Sequence, residues 1–122
     1  MARILIVDDD IDIIEASRVM LEMDGHEVLA AYNYHEGLQS ALENKPELMI
    51  LDVMMDEPDD GFALAQTLRA RGVQTPIIML TSVSRVSGMQ FGMDNDLLPV
   101  NDFVQKPVDP AVLQEKVRKL LV

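Results

Sequence analysis

The chain has 122 residues, 48% of them hydrophobic, with a net charge of −11, no Cys and no Trp. That length fits one domain with an aliphatic core, nine Met serving as adaptable filler. The acidic balance argues against direct nucleic-acid binding through a basic surface and against attraction to anionic lipid, and the lack of Cys excludes disulfides and thiolate metal sites.

Ile4 to Val7 is a continuous apolar run, the pattern of a strand buried on both faces. Arg3 is followed by only four apolar residues before Asp8, too few for a signal peptide, and no run approaches the ~18 apolar residues of a membrane span, so a soluble, cytoplasmic protein is expected. Asp10 or Asp12 can cap the first helix, Asp12 with Glu15 having capping-box spacing. Ile13, Ala16 and Met20, widened by Ile14 and Leu21, form its apolar stripe, and Asp24-Gly25 stops it. Val28 to Ala31 is a second strand. Asn33 with Glu36 caps a second helix, whose Tyr34, Leu38, Ala41 and Leu42 recur at helical spacing before Pro46 closes it.

Leu48 to Leu51 is a third strand, followed by the charged loop Asp56 to Gly61. Phe62 to Arg69 reads as a helix ended by Gly72, and Pro76 precedes a fourth strand, Ile77 to Leu80. Gly88, Gly92 and Pro99 interrupt the next stretch, which predicts a short, irregular fourth helix near Ser84 to Phe91 and then a loop. Phe103-Val104 is a short fifth strand. Asp109-Pro110 pairs an N-cap with an N1 proline, and Leu113, Val117, Leu120 and Leu121 give the fifth helix its apolar face.

Strand alternating with helix predicts an α/β fold: a doubly wound, five-stranded parallel sheet with five helices and right-handed crossovers, one domain over residues 1–122. Ligands of such sheets bind outside the carboxyl ends of the strands. The residues at those ends carry chemistry. The runs lead into Asp8-Asp9-Asp10, Asp52, Thr81-Ser82 and Lys106-Pro107. Adjacent carboxylates form a hard-oxygen site suited to Mg²⁺, and crowding them without a cation raises their pKa values. Asp52 can attack phosphorus as a nucleophile. The charge spreading over a transferred phosphoryl group can be met by Mg²⁺ and Lys106, with Thr81 donating a hydrogen bond. Taken singly, each residue could be a helix cap, a turn or a surface charge. Four coincidences on one sheet edge favour a site.

These residues resemble the receiver domain of two-component response regulators. The marks are Ile4-Leu5-Ile6-Val7-Asp8-Asp9, Leu51-Asp52-Val53-Met54-Met55, Asp60-Gly61-Phe62, Leu80-Thr81-Ser82 and Lys106-Pro107, in that order. The resemblance covers essentially the whole chain and implies a flavodoxin-like fold of strand order 2-1-3-4-5. It makes Asp52 the phosphoacceptor. It gives Mg²⁺ to Asp9 directly, to Asp8 often through water, to Asp52, and to the main-chain carbonyl of Met54. Thr81 resembles the hydroxyl that moves on activation, Lys106 the salt-bridging lysine before a cis peptide to Pro107, and Phe103 the aromatic switch. The implied phosphodonor is a sensor histidine kinase or a phosphotransfer protein. The implied output is a protein-binding surface on the fourth and fifth helices and the fifth strand, without enzymatic turnover.

The chain departs from the family pattern in two places. The loop after Asp52 carries an extra residue and is unusually acidic, and the segment Gly92 to Val100 is longer. Met89, Phe91, Met93, Leu97, Leu98 and Val100 there could form an apolar docking patch, though packing onto the sheet is the more ordinary use of such residues. Met54 and Val83 correspond to two positions that influence phosphoaspartate hydrolysis; both are apolar, which predicts slow self-dephosphorylation. Two other readings compete. One is a haloacid-dehalogenase-like phosphatase with Asp8 as nucleophile and Asp10 as acid/base, which leaves Asp52 unexplained. The other is a phosphorylation-independent binding module. No effector domain is visible within these 122 residues, so the expected readout is a downstream protein partner, an effector domain outside this chain, or a homodimer.

Overall fold

Alternation of side chains along each strand divides the apolar runs into two cores, one on each face of a single sheet. The computed structural model describes residues 2–55, 57–82 and 100–121. Strands β1 (Arg3–Val7), β2 (Glu27–Ala31), β3 (Leu48–Asp52), β4 (Ile77–Ser82) and β5 (Asp102–Lys106) pair in parallel in the order β2-β1-β3-β4-β5. The helices among the described residues are α1 (Ile11–Met23), α2 (Tyr34–Asn44), α3 (Asp60–Ala70) and α4 (Pro110–Leu120). The helix expected near Ser84 to Phe91, Val83, and the apolar residues Met89, Phe91, Met93, Leu97 and Leu98 lie outside the described residues. The helix expected as the fifth is therefore α4.

On one face Leu5, Val7, Met49, Leu51, Ile77 and Met79 pack with Ala41 of α2 and Leu64, Ala65 and Leu68 of α3. Val100, the last residue of the anticipated patch, packs half-buried against this core. On the other face Ile4, Ile6, Leu48, Ile50, Ile78, Leu80 and Val104 pack with Ile14, Met20 and Leu21 of α1 and Leu113 and Val117 of α4. All of β3 is buried, as a central strand covered on both sides must be.

Local chemistry sets the helix ends. Asp10, not Asp12, caps α1: its Oδ1 accepts from the backbone N–H groups of Asp12 (2.9 Å) and Ile13 (3.4 Å). Asp12 lies in the first turn, where its charge favours the positive helix end. The buried face of α1 is Ile14, Ser17, Met20 and Leu21, whereas Ala16 is exposed. The stripe is thus rotated from the expected one, because burial follows contact with the sheet and small Ser17 fits there. Asn33 caps α2 by accepting from Glu36 N–H at 2.9 Å, and Glu36 reaches back to Tyr32 N–H at 3.0 Å. Asp109 caps α4 ahead of Pro110.

One glycine is required by a close approach. The N-terminal turn of α3 lies directly against the end of β3, where Gly61 N–H donates to the Val53 carbonyl at 2.8 Å. A Cβ at Gly61 would overlap the Asp52 carbonyl oxygen and come within 2.8 Å of Val53 Cα. The atoms nearest a Cβ at Gly37 belong to the Val7 and Leu64 side chains, at 2.9–3.0 Å, and side chains can yield where backbone cannot. Gly61→Ala is expected to lower unfolding free energy by about 1–3 kcal/mol or more, the range for overpacking, and to cost more than Gly37→Ala. Urea denaturation of both variants reads the difference.

Candidate functional site

The register of the sheet decides which strand-end residues meet. Val7 lies opposite Leu51, so Asp8 and Asp52 are level; Asp52 lies opposite Leu80, and Ser82 opposite Lys106. Alternation then assigns the faces. Asp8, Asp52 and Lys106 continue the rows of Ile6, Ile50 and Val104, which face α1 and α4. Thr81 continues the row of Met79 on the opposite face, the one shared by Phe103, which lies across from Met79.

Lys106 Nζ bridges the two buried acids. It stands 3.0 Å from Asp52 Oδ1 and 3.4 Å from Asp8 Oδ2. Asp8 is fully buried and Asp52 nearly so. Asp8 is fixed from the backbone: its N–H donates to Ala31 O at 3.1 Å, and its Oδ1 accepts from Asp10 N–H at 2.9 Å. Thr81 is buried, Asp9 exposed and Met54 half-exposed. Asp9, Asp10, Asp52, Val53, Met54, Met55, Thr81 and Lys106 line one cavity of about 310 Å³. The Lys106–Pro107 peptide bond is cis.

Every strand-end residue singled out in the sequence is therefore at this edge, and Phe103 sits half-buried beneath it. The roles of Asp10 N–H in holding Asp8 and of Gly61 in letting α3 approach β3 were not foreseen. A backbone donor leaves no trace in residue type, and the Asp60-Gly61 pair signals a turn rather than a contact across the chain.

Burial dominates the electrostatics. It pushes the Asp8 carboxyl up to about 6; the Asp52 charge pushes the same way, against the Asp10 N–H and Lys106. Asp52 is raised by burial and by Asp9, with Lys106 opposing. Burial pulls the Lys106 ammonium down, but its hydrogen bond to Asp52 and the charges of both acids outweigh that and raise it. One ammonium thus serves two acids, with a third beside them. Carboxylate oxygens of Asp8, Asp9 and Asp52 lie within 4.8 Å of one another. Asp8 Oδ2 is buried without a hydrogen-bond donor. An all-oxygen donor set in which Asp8 Oδ2 has the Lys106 ammonium at 3.4 Å but no hydrogen bond fits a hard divalent cation.

The family of response regulator receiver domains matches residues 4–118. The chain belongs to that family. This receiver domain is 35% identical over 123 residues to the DNA-binding dual master transcriptional regulator RpaA of Synechocystis, covering 99% of this chain and 49% of that protein. It is 32% identical to the alkaline phosphatase synthesis transcriptional regulatory protein PhoP of Bacillus subtilis, covering 98% of this chain and 48% of that protein. The chain thus spans about half the length of the curated relatives it matches. Its fold is similar to the chemotaxis response regulator CheY4 of Vibrio cholerae, with a TM-score of 0.86, 28% identity and 99% of each chain covered. No helix among the described residues is long and apolar enough to cross a membrane.

The raised Asp8 pKa has a signed consequence. Its folded value of about 6 lies above the ordinary 3.8, so the fold favours the protonated carboxyl. That contribution to stability is full below about pH 4 and lost as pH rises through about 6. In metal-free protein at about pH 7.5, Asp8→Asn is expected to be the more stable form by about 1–3 kcal/mol, at about 1.4 kcal/mol per pKa unit. Its advantage should shrink toward about pH 4. Chemical denaturation of both proteins at the two pH values measures it.

Proposed function

We propose that this receiver accepts a phosphoryl group on Asp52 from the histidine of a sensor kinase or phosphotransfer protein, and passes the change to a protein partner or effector domain. The observation that carries the reading is the Lys106 ammonium held between buried Asp8 and Asp52 at 3.4 and 3.0 Å, on the sheet edge of a chain of this family. An oxygen of the Asp52 carboxylate attacks the phosphorus, the bond from phosphorus to the donor nitrogen breaks, and an acyl phosphate forms. Mg²⁺, held by Asp8, Asp9, Asp52 and the Met54 carbonyl, would neutralise charge on the transferred oxygens when bound. Lys106 contributes a second positive charge, and the Thr81 hydroxyl donates to a phosphoryl oxygen.

The added charge of roughly −1.5 to −2 supplies the switch. Thr81 moves toward the phosphoryl group. Phe103, on the same sheet face, turns into the space behind it. The surface around β5 and α4 then shifts population toward a partner-binding state. The phosphatase reading gains nothing from the site. Asp10, its acid/base, spends its Oδ1 on capping α1, and Asp52, which it leaves idle, is the acid nearest Lys106.

Intact-protein mass after incubation with acetyl phosphate and Mg²⁺ tests the reading. One phosphoryl increment is expected on the wild type and none on Asp52→Ala. An increment that survives Asp52→Ala, or sustained turnover of external phosphate esters, would overturn it. Because apolar Met54 cannot orient water well, the phosphoryl group is expected to decay slowly, and Met54→Asn should shorten its lifetime. The same mass assay, followed over time, reads that change.

A further inference from the structure

We propose that Met54 is an oxidation-sensitive gate of the acidic cavity, and that converting its thioether to the sulfoxide shortens the life of the phosphoryl group on Asp52. The second half rests on the phosphoacceptor role of Asp52 argued above. Among the described methionines, Met20, Met49, Met55 and Met79 are core residues no more than 8% exposed, whereas Met54 is 48% and Met23 81% exposed. The two exposed ones differ in place. Met23 ends α1, at the opposite edge of the sheet from Asp52. Met54 lines the same cavity as Asp9, Asp52, Thr81 and Lys106. Its neighbour Met55 also borders this cavity but packs into the core and is buried, which leaves Met54 as the exposed methionine at the rim.

A thioether is only a weak hydrogen-bond acceptor. A hydroperoxide reaching the rim changes that. Its O–O bond breaks, one oxygen bonds to sulfur, the thioether is oxidised by two electrons, and hydrogen peroxide is reduced to water. The sulfoxide oxygen is a strong acceptor at the cavity that Asp52 also lines, where it can orient a water for attack on phosphorus. That attack breaks the bond from phosphorus to the Asp52 oxygen and releases inorganic phosphate and the free carboxylate. Reduction of the sulfoxide restores the original pocket.

The test treats wild type, Met54→Leu and Met23→Leu with hydrogen peroxide, then maps oxidation by peptide mass spectrometry and follows phosphoryl lifetime after acetyl phosphate loading. Met54 should oxidise faster than Met20, Met49, Met55 and Met79. The lifetime should fall roughly 2- to 10-fold in wild type and in Met23→Leu, the factor that one neutral hydrogen bond supplies. It should not respond to peroxide in Met54→Leu. Met54→Gln, which carries a carbonyl acceptor permanently, should show the short lifetime without oxidant. Met54 oxidised at the pace of the core methionines, or fully oxidised with the lifetime unchanged, overturns the proposal. Absence of any phosphoryl increment in untreated wild type instead overturns the phosphoacceptor reading, and the lifetime effect with it.

Discussion

Two carboxylates buried beside one ammonium are the constraint around which this fold is arranged. Asp8 and Asp52 leave water at the ends of adjacent strands, and the Lys106 ammonium, 3.4 and 3.0 Å away, reaches both. Burial of like charges at this range is strongly unfavourable without compensation. A cation beside these acids, or a neutral substitute at Asp8, would relieve that repulsion. The same imbalance makes the edge chemically useful. A site deficient in positive charge suits a divalent ion, and the ammonium already positioned there suits a phosphoryl group.

The remainder of the structure holds these groups in place. The end of β3 is fixed on both sides: Val53 N–H donates to Leu80 O at 3.0 Å, and Val53 O accepts from Gly61 at 2.8 Å. Fully buried β3 gives Asp52 little room to move. At the other end of the sheet, the Arg69 guanidinium ties the turn after α3 to the entry of β5, donating to Val73 O, Thr75 O and Asn101 Oδ1. Asn101 also pairs with Ile77 through backbone and side chain. β5, which carries both Phe103 and Lys106, is therefore anchored where it begins by Asn101 and where it ends by the ion pairs of Lys106 with Asp52 and Asp8.

The strands were legible because each is a short apolar run with a polar stop, and an α/β pattern leaves few alternatives for such runs. Four of the helix boundaries were legible from single residues with defined capping chemistry: Asn33, Asp109 with Pro110, Gly25 and Gly72. The stripe of α1 was read less well. Helical periodicity permits Ala16 or Ser17 to face inward, and only contact with the sheet chooses Ser17. The capping residue of α1 was ambiguous for a similar reason, since Asp10 and Asp12 both have the chemistry and geometry selects Asp10.

The sequence by itself determined the chemical inventory: acids at the ends of the first and third apolar runs, a hydroxyl at the end of the fourth, a lysine close behind the fifth, and an order of motifs that names the family. Residue types and spacings are local properties, so they survive without coordinates. The tertiary structure alone decided what those groups do to one another. Strand register makes Asp8 and Asp52 level, pleat parity sends Lys106 to their face and Thr81 with Phe103 to the other, and a missing Cβ at Gly61 lets α3 close on β3. None of these is written in any one segment, because each is a relation between segments far apart in the chain, set by how two cores pack against one sheet.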